Sequence, residues 1–329
     1  MRLRDRVLDA GLAAVSVAAA PFLFLMARKR WALRWTRALH DAIGVTVLRN
    51  HYYEPTVTAA DLPTPPQQVR DLPGVDLNLA GQTAVLQRFR FADELATLDG
   101  TAVGDRRYHY SNQNHMFAEG DADALYSFIR AFKPRTLIEI GCGQSSLVAQ
   151  IALRRNLAED PACAARHICF EPFHNGWLKD IGADFRRMKV QDVDPAIFTA
   201  LQPNDIVFID STHVVRAQGD VEHDLLRILP ILPAGVLVHI HDIFTPRDYT
   251  RHFLLEDRRF WTEQYMLEAF LTFNAGYEVV LALNSLHKDR NPALYEALPV
   301  LADKPHREPG SFWIRRLEPD PSARTGCGR

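Results

Sequence analysis

A glycine-rich turn between a predicted strand and a predicted helix holds the residues best suited to chemistry. Residues 136–146 read TLIEIGCGQSS. One acid, Glu139, sits among apolar residues that run directly into Gly141 and Gly143, and a helical pattern starts at Ser145. This order predicts a buried parallel strand, a tight turn and a helix N-terminus. Free N–H groups at such an N-terminus can bind a carboxylate, ribose or phosphate.

The spacing of the turn argues against two common nucleotide sites. A dinucleotide fingerprint needs a third glycine three residues after Gly143, and Ser146 occupies that position. A P-loop needs Gly-Lys-Ser/Thr, and the turn contains no lysine. A bare Gly-x-Gly can also be a tight turn without a ligand, so the neighbouring strands must decide.

Polar residues also end four further predicted strands, at residues 167–172, 188–191, 205–210 and 235–242. In open α/β sheets, ligands bind across the carboxyl ends of the strands. Each acid alone could be a solvated strand end or a helix cap, but their recurrence on successive strands predicts a common site. The side chains concerned are Glu171, Asp192, Asp210, His213, His241 and Asp242.

These motifs resemble the class I S-adenosylmethionine-dependent methyltransferases, over about residues 105–317 and most strongly over 136–242. The stretches 208–213 and 310–315 look most like a bacterial subgroup whose substrates are mostly unassigned. The resemblance implies an α/β fold: a doubly wound, mostly parallel seven-stranded sheet of Rossmann-like type with an antiparallel final strand. The cofactor would be S-adenosylmethionine, bound by Glu139, Gly141, Gly143, Ser145, Glu171 at the ribose and Asp192 at the adenine. Asp192 departs from the family pattern because it follows a glutamine.

Two catalytic hypotheses follow, because a hydroxyl acceptor needs either a base or a metal to release its proton. In the first, Asp210, His213 and His241 are the catalytic residues. In the second, Asp210, His241 and Asp242 bind Mg²⁺ or Mn²⁺, as in catechol O-methyltransferase-like enzymes. A histidine at the middle position is a departure, since imidazole suits zinc, manganese or iron better than magnesium. We leave His239 out of both sites because we expect its side chain to point away from His241.

Composition is consistent with a cytoplasmic enzyme. The 329 residues carry a net charge of −2 and are 47% hydrophobic, which predicts a large core and no nucleic-acid partner. The four cysteines have neither metal-site nor disulfide spacing, which favours a reducing compartment. No sequence pattern specifies the oligomeric state.

The N-terminal segment 1–37 is predicted to be a membrane anchor. Residues 10–27 contain no charge and, as a helix, would extend about 27 Å, enough for a bilayer's hydrocarbon core. More basic residues follow this stretch than precede it, which predicts a cytoplasmic catalytic domain. An interfacial amphipathic helix involving Trp31 and Trp35, a soluble helix and a cleaved signal peptide are the alternatives.

The remaining chain divides into three predicted regions. Residues 38–115 form an extension containing a possible lid with Tyr110, Asn112 and Asn114. Residues 116–318 form the methyltransferase domain, in which the loop 243–249, with Arg247 and Tyr249, is the candidate acceptor pocket. Residues 319–329 are predicted to be a disordered tail.

The resemblance and the anchor together predict a membrane-associated methyltransferase acting on oxygen. Its acceptor would be a saccharide, a lipid-linked glycan or another small envelope-related molecule. A non-catalytic membrane-tethered scaffold is one alternative. A nicotinamide-dependent oxidoreductase is another, disfavoured by the 28 residues from Gly143 to Glu171, where that fingerprint expects an acid after about 20.

Overall fold

Seven strands form one sheet in the order β3-β2-β1-β4-β5-β7-β6. The computed structural model describes residues 3–29, 32–104, 107–173 and 176–318. The predicted tail therefore lies outside the described residues. The strands are β1 (Thr136–Ile140), β2 (Arg166–Phe170), β3 (Asp184–Arg186), β4 (Ile206–Ile209), β5 (Leu237–Ile240), β6 (Tyr277–Ala282) and β7 (Phe312–Arg316).

Strand pairing confirms the predicted fold class. Strands β1 to β5 are mutually parallel, whereas β7 runs antiparallel to both β5 and β6. The strand order reverses at β1, whose neighbours are β2 on one side and β4 on the other. Connections leave in opposite directions at that point, so the carboxyl ends of β1, β2 and β4 surround a crevice.

Eleven α-helices lie within the described residues. They are α1 (Leu3–Lys29), α2 (Arg34–Ile43), α3 (Leu79–Leu86), α4 (Ala92–Leu95), α5 (Asp121–Phe132), α6 (Gln144–Glu159), α7 (Ala196–Thr199), α8 (Asp220–His223), α9 (Glu263–Leu271), α10 (Leu283–Lys288) and α11 (Pro292–Ala297). A π-helical turn at Asp224–Ile228 extends α8.

Each face of the sheet has its own apolar core, because side chains alternate along a strand. On one face, Leu137 shares a core with Phe128 of α5 and Leu147 of α6. On the other, Ile138 shares a core with Leu225 and Leu267. Both faces are therefore covered by helices, as the continuous hydrophobic runs of the parallel strands require.

The third predicted strand was misplaced along the chain. The sequence predicts it at 188–191, whereas β3 occupies Asp184–Arg186 and Val190–Asp192 forms a 3₁₀ turn. A three-residue edge strand is too short to show a recognisable alternating pattern. The apolar Val190 that follows it is buried although it does not belong to a strand, which explains why the sequence pattern there resembled one.

The chain divides into two compact units. Residues 66–250 and 261–329 form the unit that contains the sheet, and residues 1–65 with 251–260 form the other. Residues 66–115 of the predicted extension thus belong to the sheet-containing unit. In the other unit, α1 and α2 are the only α-helices among the described residues.

Candidate active site

A crevice of about 220 Å³ opens at the carboxyl ends of β1, β2 and β4. Residues after each of these strands, and after β3, line it together. They are Ile140, Gly141, Phe170, Glu171, Pro172, Phe173, Lys189, Val190, Gln191, Asp210, Ser211, Thr212, Arg216 and Asp220. Three residues chosen from the sequence, Gly141, Glu171 and Asp210, therefore share one cavity.

The glycine turn brings backbone close to the end of β4. Gly141 has φ +79°, and a Cβ placed on it would lie 1.8 Å from the carbonyl oxygen of Asp210. Only glycine fits that conformation and that contact. At Gly143, by contrast, an added Cβ would meet nothing within 4 Å, so the backbone there is open to an approaching ligand. Helix α6 starts directly afterwards, at Gln144.

The structure places the Glu139 side chain away from this crevice. Its carboxylate is fully buried and accepts hydrogen bonds from Ser146 Oγ at 2.5 Å and from His167 Nε2 at 2.8 Å. Burial lowers the pKa of His167, but the neighbouring Cys169 and Glu139 outweigh it and raise the pKa to about 10. The expectation that Glu139 binds the cofactor directly is therefore replaced by a positioning role: it ties β1 to β2 and to α6 beneath the glycine turn.

Three other predicted cofactor residues, Gly143, Ser145 and Asp192, are not among the residues that line the crevice. Ser145 is 3% exposed, in the first turn of α6. Asp192 is exposed at the end of its 3₁₀ turn, and Gln191 occupies the lining position that the sequence analysis gave to Asp192. Glu171, in contrast, stands at the crevice and accepts a hydrogen bond from the Phe173 backbone N–H at 2.7 Å, which fixes the orientation of its carboxylate.

A histidine lies among three carboxylates beside the crevice. His213 Nε2 is 3.2 Å from Asp210 Oδ1 and 3.7 Å from Asp242 Oδ2, while its Nδ1 is 2.8 Å from Glu263 Oε2. Burial alone would lower the pKa of His213, but Asp210 and Glu263 raise it well above the ordinary histidine value. His213 is therefore an imidazolium at neutral pH and holds Asp210 in place, which makes it a poor base in the resting site.

Asp210 is the member of this cluster that reaches the crevice. Its side chain is 29% exposed, whereas that of His213 is 6% exposed. Burial raises the pKa of Asp210, but the nearby His241 and the hydrogen bond from His213 outweigh that effect and lower it. Asp210 is therefore ionised at neutral pH and can accept a hydrogen bond from a ligand.

His241 is buried behind the cluster, and His239 packs against it. Residues two apart on a strand share a face, so the expectation that His239 points away was wrong: His239 Nε2 lies 3.3 Å from His241 Nδ1. Burial lowers the pKa of His241, but Asp210, Asp242 and Asp121 raise it above its ordinary value. His241 contributes positive charge to the site and does not line the crevice.

The residues proposed for Mg²⁺ or Mn²⁺ do not fit a divalent ion. Within the described part of the chain, the one group of three metal-binding side chains whose ligand atoms all lie within 4.8 Å of one another is Glu139, Cys142 and Cys169. Asp210, His241 and Asp242 do not form such a group. The charged His213 ring lies between Asp210 and Asp242 and supplies the positive charge that an ion would bring there.

Three side chains expected at the lid or the acceptor pocket, those of Tyr110, Tyr249 and Arg247, are engaged elsewhere in the structure, whereas the lid itself stays a prediction. Tyr110 is fully buried, and its hydroxyl donates to the Phe117 carbonyl at 3.0 Å. Tyr249 is 1% exposed and its hydroxyl accepts from the Gln264 backbone N–H at 3.0 Å, while Arg247 pairs with Asp289 at 2.7 Å. These side chains hold loops together, so they are not available to bind an acceptor.

Two functional residues escaped the sequence analysis. Glu263 lies 50 positions after His213 at the start of α9, and Asp121 starts α5. Both are buried acids at helix N-termini, where acids usually serve as caps. Glu263 lies beside His213, and Asp121 lies near His241, only because distant parts of the chain pack together. No local sequence pattern could have identified these neighbours.

Comparison with known proteins shows which domain family the central segment resembles. A family model described as a methyltransferase domain matches residues 138–243. An uncharacterised protein of Archaeoglobus fulgidus is 25% identical over 175 residues, covering 50% of this chain and 77% of its own. The methyltransferase domain recognised from the motifs is thereby confirmed for residues 138–243.

Three solved structures show distant similarity. The plantazolicin methyltransferase BpumL in complex with SAH is 14% identical with a TM-score of 0.38, covering 73% of this chain and 96% of that one. Cofactor-bound Rv0187 from MTB is 14% identical with a TM-score of 0.35, over 76% and 93% of the two chains. Human N-acetylserotonin methyltransferase with SAM is 15% identical with a TM-score of 0.28, over 60% and 52%. Similarity at this level carries no argument about the reaction.

Proposed function

We propose that this protein transfers a methyl group from S-adenosylmethionine to a hydroxyl group, using the crevice beside Gly141, Glu171 and Asp210. The observation that carries the proposal is the convergence of these three residues at the point where the strand order reverses. A methyltransferase-domain match over the same segment supports it. The open backbone at Gly143 and the fixed Glu171 carboxylate form a cradle that suits a nucleoside, and the ionised Asp210 beside them is left to contact the acceptor.

The protein has a limited task, because the bound sulfonium already supplies an activated methyl group. Glu171 would accept hydrogen bonds from the ribose diol, a role supported by its position in the crevice lining. Asp210 would accept the hydrogen bond of the acceptor hydroxyl and take its proton as the oxygen–methyl bond forms and the sulfur–methyl bond of the sulfonium breaks. His213, itself held by Glu263, fixes the Asp210 carboxylate, so that the acceptor oxygen is oriented rather than merely bound.

The acceptor we favour is membrane-held: a saccharide, a lipid-linked glycan or another small envelope precursor. Helix α1 is long and apolar enough to cross a bilayer, and only 6% of its 18-residue apolar window is buried. An unburied apolar helix needs an apolar solvent, which supports a membrane anchor over a soluble helix. Arg28, Lys29, Arg34 and Arg37 follow the apolar stretch, which supports a cytoplasmic active site.

Cofactor binding is tested by isothermal calorimetry with Glu171→Ala. We expect the dissociation constant for S-adenosylmethionine to rise by about 10- to 100-fold, because hydrogen bonds to a charged acceptor are lost. Asp192→Ala is the matched control, since that acid is exposed and does not line the crevice. Equal losses in the two variants would contradict the assignment of Glu171, and a protein that binds NADH but not S-adenosylmethionine would refute the proposed function.

The anchor is tested by placing arginine in the middle of α1. Arginine at a helix centre costs about 2.5–3.5 kcal/mol on insertion scales, enough to prevent insertion of an alanine-rich segment. We therefore expect Val17→Arg to move the protein from the carbonate-washed membrane pellet to the soluble fraction. Val7→Arg, outside the uncharged stretch, should leave it in the pellet. Wild-type protein that washes off the membrane would exclude a spanning anchor.

A further inference from the structure

Helix α2 carries an apolar face that the residues described in the structure leave uncovered. Apolar residues recur at the i, i+3, i+4 spacing that gathers them along one side of a helix. Trp35 is 92% exposed, and Leu39 and Ile43 are each 61% exposed. The complete stripe comprises Trp35, Ala38, Leu39, Ala42 and Ile43, all of them exposed.

The polar side of α2 is the side that packs. Thr36 and His40 are partly buried, and with Met26 of α1 they line a small cavity of about 150 Å³. This arrangement is the reverse of an ordinary surface helix, which buries its apolar stripe and exposes its polar one. The stripe is therefore a candidate interaction surface, because contiguous exposed apolar surface marks an interaction site.

The charges around the stripe favour an anionic surface. Arg34 and Arg37 lie on the exposed polar flank of α2, and Arg28 and Lys29 end α1 immediately before it. Asp41 is the single acid of α2. Lysine and arginine near a membrane surface are attracted to anionic headgroups, and a tryptophan beside them prefers the headgroup level.

Chain length sets how far α2 can lie from the end of α1. Helix α1 ends at Lys29 and α2 begins at Arg34, so the connection spans five residue steps. Fully extended, five steps reach at most about 17 Å. If α1 crosses the bilayer as proposed above, α2 must begin within that distance of the membrane surface. The lipid headgroup layer, where apolar and polar surroundings meet, is therefore close enough for α2 to contact.

We infer that α2 lies flat in the interfacial layer of an anionic bilayer, with Trp35, Leu39 and Ile43 inserted among the upper acyl chains. The inference rests on the proposed membrane anchor and adds a second, separate contact to it. Helix α1 is apolar on every side and spans, whereas α2 is apolar on one side and lies along the surface. Two contacts of different kind fix the direction in which the chain leaves the membrane.

Tryptophan quenching tests the inference on the full chain. The protein is reconstituted into vesicles of phosphatidylcholine and phosphatidylglycerol whose acyl chains carry bromine close to the headgroup. We expect Trp35→Phe to remove about half of the bromine-dependent quenching, since Trp31 and Trp35 are the tryptophans next to the anchor. Trp177→Phe is the matched control and should leave that quenching unchanged, because Trp177 stacks on Tyr108 in the sheet-containing unit.

A second variant separates the two membrane contacts. Leu39→Gln/Ile43→Gln replaces the two large aliphatic side chains of the stripe with polar ones, so quenching of Trp35 should be lost while the protein still floats with the vesicles. Unchanged quenching in Trp35→Phe would overturn the inference with the anchor intact. A dimer in detergent that shields Trp35 would also overturn it and assign the stripe to a second copy. Wild-type protein that fails to float would instead refute the anchor itself.

Discussion

Replacing Asp210 by asparagine should reduce methyl transfer by about 1,000-fold while leaving S-adenosylmethionine binding within a few-fold of wild type. Asparagine keeps the size and one acceptor oxygen of the side chain but cannot take a proton. Asp210 is the acid of the cluster that lines the crevice, and its lowered pKa keeps it ionised. A lower rate of methyl transfer at unchanged cofactor affinity therefore distinguishes a catalytic role from a structural one.

The measurement uses S-adenosylmethionine labelled in the methyl group and a detergent extract of the native membrane as acceptor pool. Calorimetry on the same preparations gives cofactor affinity. Asp192→Asn is the control, because it removes an equal charge from an exposed neighbouring position. A wild-type rate of methyl transfer in Asp210→Asn would show that Asp210 does not take part in catalysis. A parallel loss of folding, seen by circular dichroism, would assign it to the structure instead.

Gly141→Ala should be the most damaging single-methyl substitution in the crevice. The new Cβ would lie 1.8 Å from the Asp210 carbonyl oxygen, and φ +79° disfavours any L side chain. The left-handed conformation alone costs about 1–2 kcal/mol, and the overlap forces the ends of β1 and β4 apart. We expect a large fall in melting temperature together with loss of cofactor binding, because the strand ends that separate are the walls of the crevice.

Gly143→Ala provides the comparison for this substitution. An added Cβ there has nothing within 4 Å and φ is −177°, so the fold should keep its melting temperature. The methyl group would instead stand where a ligand must approach the backbone, and S-adenosylmethionine affinity should fall. Thermal denaturation and calorimetry on both variants check the pair. Equal melting temperatures in Gly141→Ala and wild type would contradict the close approach of β1 to β4.

Much of this architecture could be read from local patterns. Buried strands that end in Gly141, Glu171 and Asp210 are short hydrophobic runs punctuated by glycine or an acid, and parallel strands must bring those ends to one edge. The location of the crevice followed from that rule. The antiparallel β7 was expected for a different reason, the resemblance to methyltransferases. An uncharged apolar stretch likewise needs no tertiary context to be recognised as a helix long enough to span a bilayer.

Only the tertiary structure decided where each side chain points and which residue it contacts. Glu139 and Glu171 are both acids at the sheet's carboxyl edge, yet one is buried against His167 and the other lines the crevice. Glu263, 50 residues after His213, reaches it because backbone hydrogen bonds hold the start of α9 against the loop that follows β4. Sequence periodicity specifies which residues share a face. What that face meets depends on the packing of distant elements, where burial and neighbouring charge determine whether an acid caps a helix, pairs with a histidine or binds a ligand.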